Sequence, residues 1–347
     1  MSAPLDTLFP TTVIGAGAWG TALAIAIARN GHDILLWGRN PKHLAEMQKT
    51  HSNERYLPGL EFPHTLTIAL DFEQALKSSK HVLVSVPSIA FSDMLEKIKP
   101  CIADEVPVSW ATKGLTPTTG HFLYDTATKI LGTSHPLAVI SGPSFAAEVA
   151  KNLPTAVTVA AKDETFSYAL ASAMHSPTLR AYTTHDVLGV QIGGTVKNVM
   201  AIGAGIADGL GFGANARAAL ITRGMAEILR LAASLGAKTE TMFGLSGIGD
   251  LILTCTDDQS RNRQLGLAIG RGLTIEQAVA EVGKTVEGMH AAREVLFRAQ
   301  QAGIEMPIVE QVCKILFEGY DPRQSVQILL NREQKAETSH PALTKNN

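Results

Sequence analysis

Residues 11–40 read TTVIGAGAWGTALAIAIARNGHDILLWGRN. A β-branched run, Thr11–Ile14, leads into Gly15, Gly17 and Gly20; an Ala-rich segment then runs to Arg29, and a second apolar run covers Ile34–Trp37. The glycines stand in G-x-G-x-x-G spacing, and the strand–turn–helix–strand setting makes that spacing specific. Gly15 suits the tight turn, Gly17 lets the main chain approach a pyrophosphate, and Gly20 allows close packing of helix on strand. Ala18 and Trp19 lie in the same turn, where free N–H groups and the positive end of the helix dipole meet an anion. The stretch predicts a dinucleotide-binding unit. An NAD-preferring site would carry Asp or Glu about 20 residues on, for the ribose 2′-hydroxyl. Here the second strand ends Trp37-Gly38-Arg39-Asn40 with no carboxylate. Arg39 stands where a guanidinium can pair bidentately with a 2′-phosphate. NADP(H) is therefore the preferred cofactor, with NAD(H) use left open.

Outward from this unit, short β-branched runs alternate with helix-like segments as far as about residue 182. Strands are expected at Thr11–Ile14, Ile34–Trp37, Val82–Val86, Val106–Trp110, Leu137–Ser141, Ala156–Ala160 and Thr178–Tyr182. Helices are expected at Ala22–Arg29, Pro41–Lys49, Phe72–Ser78, Phe91–Lys99, Gly120–Leu131 and Glu164–His175. Such alternation predicts an α/β fold, a doubly wound parallel sheet of Rossmann type covered on both faces. Beyond about Asp186 the strand signal stops, and Ala-, Gly- and Leu-rich segments read as successive helices. One is Thr274–Val282, opened by a Thr274/Gln277 capping box; another runs from Glu287 to about Ala302 and ends at Gly303. The expected division is 1–188, dinucleotide-binding; 189–331, all-α and carrying substrate and catalytic groups; and 332–347, a polar, mobile tail.

The chain has 347 residues, a prior of about two domains. Its net charge of −2 argues against nucleic-acid or membrane-surface partners. Cys101, Cys255 and Cys313 are too few and too scattered for a disulfide framework or a paired-Cys zinc motif, and no metal site is read. No signal peptide is evident and no purely apolar run approaches the ~20 residues of a bilayer span, so a cytoplasmic protein without membrane insertion is expected. The 30 glycines, beside only 5% aromatics, suggest close backbone packing and ligand loops.

Ligands of parallel sheets gather outside the carboxyl ends of the strands. There the chain places Thr112-Lys113-Gly114 and the loop Ser141-Gly142-Pro143-Ser144-Phe145-Ala146. The helical half opens with Gly193-Gly194-Thr195-Val196-Lys197-Asn198, and later Gly249-Asp250 leads to Ser260-Arg261-Asn262-Arg263. Reduction of a ketone needs a proton donor for the developing alkoxide. A lysine serves when burial and a neighbouring cation lower its pKa. Lys197 is the candidate, with Lys113 as that cation and Asp250 opposing the shift by pairing. Arg261, with Asn262 and the N–H groups opening the next helix, offers a fork for a phosphate. A helix-end ion pair is the plainer reading of Arg261 or Arg263. Cys255 reads as a buried filler, Asp208 and Arg217 as partners of each other or of the domain junction. Glu227 and Arg230 read as an exposed helical pair.

The segments GAGAWGTALA, LLWGRN, VSVPS, ATKGL, SGPSFAAEVA, GGTVKNVMAIGAGIADGLGFGANARAALITRG, SGIGDLILTCTDDQSRNR and VEG follow in order over about four-fifths of the chain. The series resembles bacterial NAD(P)-dependent glycerol-3-phosphate dehydrogenase. The resemblance implies reversible reduction of dihydroxyacetone phosphate to sn-glycerol 3-phosphate, supplying glycerophospholipid synthesis. It implies proton transfer by Lys197 and substrate contacts from Lys113, Gly142, Ser144, Asp250, Ser260, Arg261 and Asn262. Nucleotide contacts would come from Trp19, Arg39, Lys113, Ala146, Arg261 and Glu287, with a neighbour near Thr285; Asn198 and Thr254 would flank the substrate. The chain departs from the family at Ala18, usually Ser, at Ile248 and at Thr285. Two other readings compete: a β-hydroxyacid dehydrogenase of related architecture, and a sensor that holds NADPH without turnover. The small-residue helical half is compatible with a homodimer.

Overall fold

The computed structural model describes residues 5–117, 119–283 and 286–333; Thr285, and the expected tail from 334 onward, lie outside them. The strands are β1 (Thr11–Ile14), β2 (Ile34–Trp37), β3 (Ser52–Asn53), β4 (Leu57–Glu61), β5 (Leu66–Ile68), β6 (His81–Val84), β7 (Val108–Trp110), β8 (Leu137–Ser141), β9 (Thr155–Ala161) and β10 (Leu179–Thr184). Eight of them form one sheet in the order β10-β9-β8-β7-β6-β1-β2-β5, while β3 and β4 make a separate hairpin. From β1 the chain winds out through β2 on one side and returns to β6 on the other, so the reversal of strand order falls at β1/β6. Ile14 lies level with both Trp37 and Val84, which brings three strand ends to one crevice.

Helices cover both faces: α1 (Ala18–Arg29), α2 (Pro41–Thr50), α3 (Phe72–Ser78), α4 (Phe91–Ile98), α5 (Leu123–Leu131), α6 (Ala146–Ala150) and α7 (Glu164–Met174). Leu23, Ile27, Phe166 and Leu170 fill one side of the sheet. Phe91, Leu95, Leu123 and Trp110 fill the other. The sheet differs from expectation in one pairing. β8 and β9 run antiparallel, Ala138 against Ala161 through Ser141 against Thr158. The connection between them carries only the five-residue α6, too short to run back along the sheet as the helix of a parallel crossover does. The expected helix over Ala22–Arg29 in fact starts at Ala18, directly after Gly17, and the one over Gly120–Leu131 starts at Leu123.

The last strand ends at Thr184 and an all-helical part follows: α8 (Val187–Gly209), α9 (Gly213–Ser234), α10 (Thr239–Met242), α11 (Asp250–Thr256), α12 (Arg261–Gly270), α13 (Ile275–Val282), α14 (Glu287–Gln301), α15 (Pro307–Glu318) and α16 (Pro322–Leu330). The expected capping box at Thr274 and Gln277 opens α13. α8 is its axis. By length and composition this helix could cross a membrane, yet 94% of its apolar window is buried among the other helices. It crosses α12 backbone to backbone: a Cβ on Gly205 would overlap the Arg263 carbonyl oxygen, and one on Gly266 the Ile202 carbonyl oxygen. Gly209 and Gly270 meet the facing backbone in the same crossing.

Glu227 and Arg230 are not the exposed pair expected. Glu227 is 3% exposed and reaches across to α15, where Ile308 N–H donates to its Oε1 at 2.7 Å and Val309 N–H to Oε2 at 3.4 Å. The α15 N-cap residue, Met306, has no side-chain acceptor for these first-turn donors, so a distant carboxylate caps the helix instead. Arg230 donates to the Glu305 main-chain oxygen. Burial pushes the Glu227 carboxyl up to about 7, against the pull of those two N–H donors. A carboxyl raised on folding stabilises below its unfolded pKa, and that contribution is lost as pH rises through the folded one. Glu227→Gln keeps an acceptor and cannot ionise. Wild type is therefore expected to lose on the order of 3 kcal/mol relative to this variant between about pH 4.5 and 7. Urea unfolding of both proteins across that range checks it; a constant difference would refute the assignment.

Candidate active site

The Gly15–Gly20 turn leaves β1 at the crevice. Gly15 has φ +118°, and a Cβ there would overlap the Ser85 carbonyl oxygen; one on Gly20 would overlap the Gly15 carbonyl oxygen. A Cβ on Gly17 would meet nothing within 4 Å. Two of the glycines are thus required by packing, while the third faces open space at the N-terminus of α1, where an incoming anion can approach the main chain. Trp19 is half-buried, and its Nε1–H has no protein partner among the described residues. Arg39 is exposed just beyond β2, where the Asn40 side chain caps α2. These residues fit a pyrophosphate-containing nucleotide.

The neighbouring strand ends supply the charged groups. After β7, Lys113 Nζ donates to Asp250 Oδ2 at 2.6 Å and to the Gly142 carbonyl oxygen at 3.4 Å. After β8, Gly142 has φ +145° and a Cβ there would press on Val157 Cα at 3.0 Å, and Ser144 Oγ donates to the Gly142 carbonyl oxygen at 3.0 Å. Ala146 opens α6 alongside, half-buried. On the helical side, Gly193 lies so close to the Ser246 carbonyl oxygen that a Cβ could not fit. One turn further along α8, Lys197 Nζ donates to Asp250 Oδ1 at 2.5 Å and to Thr254 Oγ1 at 2.8 Å. Asp250 follows a π-helical turn, Leu245–Gly249, an irregularity that often marks functional sites. Thr254 Oγ1 donates onward to the Asp250 main-chain oxygen at 2.6 Å, so its lone pairs face Lys197. Two of the three ammonium hydrogens of Lys197 are thereby engaged, leaving one.

The electrostatics follow from this arrangement. Burial lowers the Lys197 ammonium to about 8; Asp250 opposes the shift and Lys113 adds to it. Burial alone would raise Asp250, but the two ammonium groups hold it below the usual carboxylate range. Glu287, at the start of α14, is pushed up by burial and pulled back by the positive charges of Arg261, Lys113 and Lys197. Burial drives the Cys255 thiol up to about 12, so it is a filler rather than a nucleophile.

The start of α12 separates its two arginines. Arg263 is buried and paired with Asp208 at 2.5 Å and Asp258 at 2.8 Å, and Arg217 joins Asp208 at 2.7 Å. Arg261 is exposed at the first position of the helix. Ser260 caps α12 by accepting from Arg263 N–H. Asn262 turns its side chain inward: it donates to Asn198 Oδ1 at 3.0 Å and accepts from Gly288 N–H at 2.9 Å. It ties α8, α12 and α14 together, so the side chain expected to contact substrate is taken up by protein. Sequence reasoning did not find this tie, since neither asparagine carries a distance signal.

A glycine-rich turn on a doubly wound sheet, together with a buried lysine of lowered pKa, defines a dinucleotide-dependent oxidoreductase. Models of the NAD-dependent glycerol-3-phosphate dehydrogenase N-terminus and C-terminus match residues 10–167 and 186–327. A glycerol-3-phosphate dehydrogenase [NAD(P)+] of Idiomarina loihiensis is 53% identical over 327 residues, covering 94% of this chain and 98% of its own. The one of Pseudoalteromonas translucida is 52% identical with the same coverage. The crystal structure of glycerol-3-phosphate dehydrogenase from Coxiella burnetii superposes with TM-score 0.90 at 46% identity, covering 94% of this chain and all of the other. The chain belongs to the NAD-dependent glycerol-3-phosphate dehydrogenase family.

Proposed function

We propose that the protein reduces dihydroxyacetone phosphate to sn-glycerol 3-phosphate, reversibly, with NADPH preferred over NADH. The observation that carries this reading is the Lys113–Asp250–Lys197 cluster, which joins the sheet side of the crevice to the helical side. NAD(P)H, when bound, supplies a hydride to the carbonyl carbon. Lys197 gives a proton to the carbonyl oxygen as negative charge grows there. Its lowered pKa suits proton transfer near neutrality, and Asp250 and Thr254 fix the ammonium in direction. Lys113 adds positive charge beside the same oxygen. Arg261 and the first N–H groups of α12 take the phosphate, with the Ser260 hydroxyl and the Gly142–Ser144 loop completing the pocket. The Gly15–Gly20 turn, Ala18, Trp19, Arg39, Ala146 and Glu287 line the nucleotide. With widely spaced cysteines and this chemistry, we place the protein in the cytoplasm.

Initial rates with dihydroxyacetone phosphate and either nucleotide test the reading, and a higher kcat/KM is expected with NADPH. Turnover of a β-hydroxyacid pair instead would assign the protein to that class; tight NADPH binding without oxidation would make it a sensor. Arg261→Ala is expected to raise KM for the triose phosphate by about 10–100-fold, the value of a charge-assisted hydrogen bond. It should also narrow the preference over unphosphorylated dihydroxyacetone. Unchanged KM and preference would move the phosphate to another cation.

A further inference from the structure

We infer that Asn53, on the β3–β4 hairpin and outside the catalytic cluster, is a positioning residue for the dinucleotide site. It is fully buried. Its amide nitrogen donates to the Ala16 carbonyl oxygen, inside the Gly15–Gly20 turn, at 3.2 Å and to Thr21 Oγ1 on α1 at 2.8 Å. Its Oδ1 lies 3.0 Å from His43 Nε2 on α2. A carbonyl oxygen can only accept, so the amide of Asn53 must point its NH₂ at Ala16 and its oxygen at His43. His43 therefore carries hydrogen on Nε2. His43 N–H is in turn held by the Asn40 side chain, one residue after Arg39.

The network spans two segments of the expected nucleotide unit. One end grips the main chain of the pyrophosphate turn, and the other reaches the segment that carries Arg39. The two segments also touch directly, since a Cβ on Gly38 would press on the Ala16 methyl at 2.9 Å. Asn53 fixes how far Arg39 stands from the turn, and hence how both ends of a phosphorylated nucleotide are met at once. It uses all of its side-chain hydrogen-bonding groups on protein, so it acts through these segments.

The proposal rests on the nucleotide reading of the turn, and direct binding separates the two. NADPH is titrated by its own fluorescence into the wild type, Asn53→Ala, His43→Leu and His43→Gln, with thermal melts as a folding control. The dissociation constant is expected to rise about tenfold in Asn53→Ala and severalfold in His43→Leu. The Gln amide nitrogen can stand in for Nε2, so His43→Gln should return toward wild type. KM for dihydroxyacetone phosphate should stay within about twofold, because an effect confined to nucleotide binding leaves it untouched. Should Asn53→Ala not fold, the His43 pair decides alone. Equal NADPH affinity in His43→Leu and His43→Gln overturns the proposal, as does an equal rise in both ligands' constants. A wild type that binds NADPH but does not turn over the triose phosphate would sink the functional reading and leave this test intact.

Discussion

Lys197→Ala should lower kcat for dihydroxyacetone phosphate reduction by on the order of 10²–10⁴, the usual worth of a positioned general acid. NADPH binding should survive, since Lys197 sits on α8 beside Asp250 and Thr254 and no part of the glycine turn depends on it. The accompanying pH signature is specific. Reduction consumes the protonated lysine, so kcat/KM should fall as pH rises through about 8, while the reverse oxidation should rise through the same point. Loss of Lys197 should erase that limb. Near-wild-type turnover in the variant would remove Lys197 from the chemistry altogether.

The second large effect is expected from Asp250→Asn. The carboxylate lies between two ammonium groups, accepting from Lys113 at 2.6 Å and Lys197 at 2.5 Å, and is 1% exposed. The amide keeps the shape and removes the negative charge, so two cations face each other in a buried site. Breaking a buried ion pair costs about 3–5 kcal/mol, part of which is relieved if one lysine gives up its proton. Lys197 should do so, because Asp250 is the strongest influence opposing its burial. The variant is expected to have its pH limb displaced to below neutrality, and at pH 8 to lose about fivefold in kcat/KM for the first unit of displacement and about tenfold for each further unit. Profiles of kcat/KM against pH, with urea melts alongside, read both effects. A limb that stays near 8 would mean Asp250 does not set the lysine's acidity.

How much of this was legible in the sequence depends on the reach of each signal. Gly15, Gly17 and Gly20 could be assigned separate roles because their spacing is local and their setting is periodic. The opposing effects of Lys113 and Asp250 on Lys197 were also expected, since charge type alone gives the direction. The antiparallel β8–β9 pair was not legible. Both strands are buried on both faces, so their runs carry no alternation that reports direction. The β3–β4 hairpin was missed for a related reason: two residues, Ser52 and Asn53, are too short a strand to show a period. Glu227 misled because a helix position three residues from an arginine reads as surface, whereas its partner, the start of α15, lies 81 residues away. Arg261 and Arg263 are indistinguishable by type; only the fold shows that Asp208 and Asp258 claim the second.

The bare-backbone crossing of α8 and α12 bears on substrate size. Lys197 rides on one helix and Arg261 on the other, and at Gly205 and Gly266 no side chain lies between them to yield or re-pack. In the proposed mechanism the span from the Lys197 ammonium to the Arg261 guanidinium is therefore set by main chain, and with it the length of substrate that both ends can hold at once. Exchanging side chains around the pocket can alter what is gripped at either end. Altering the length that fits means prying two helices apart.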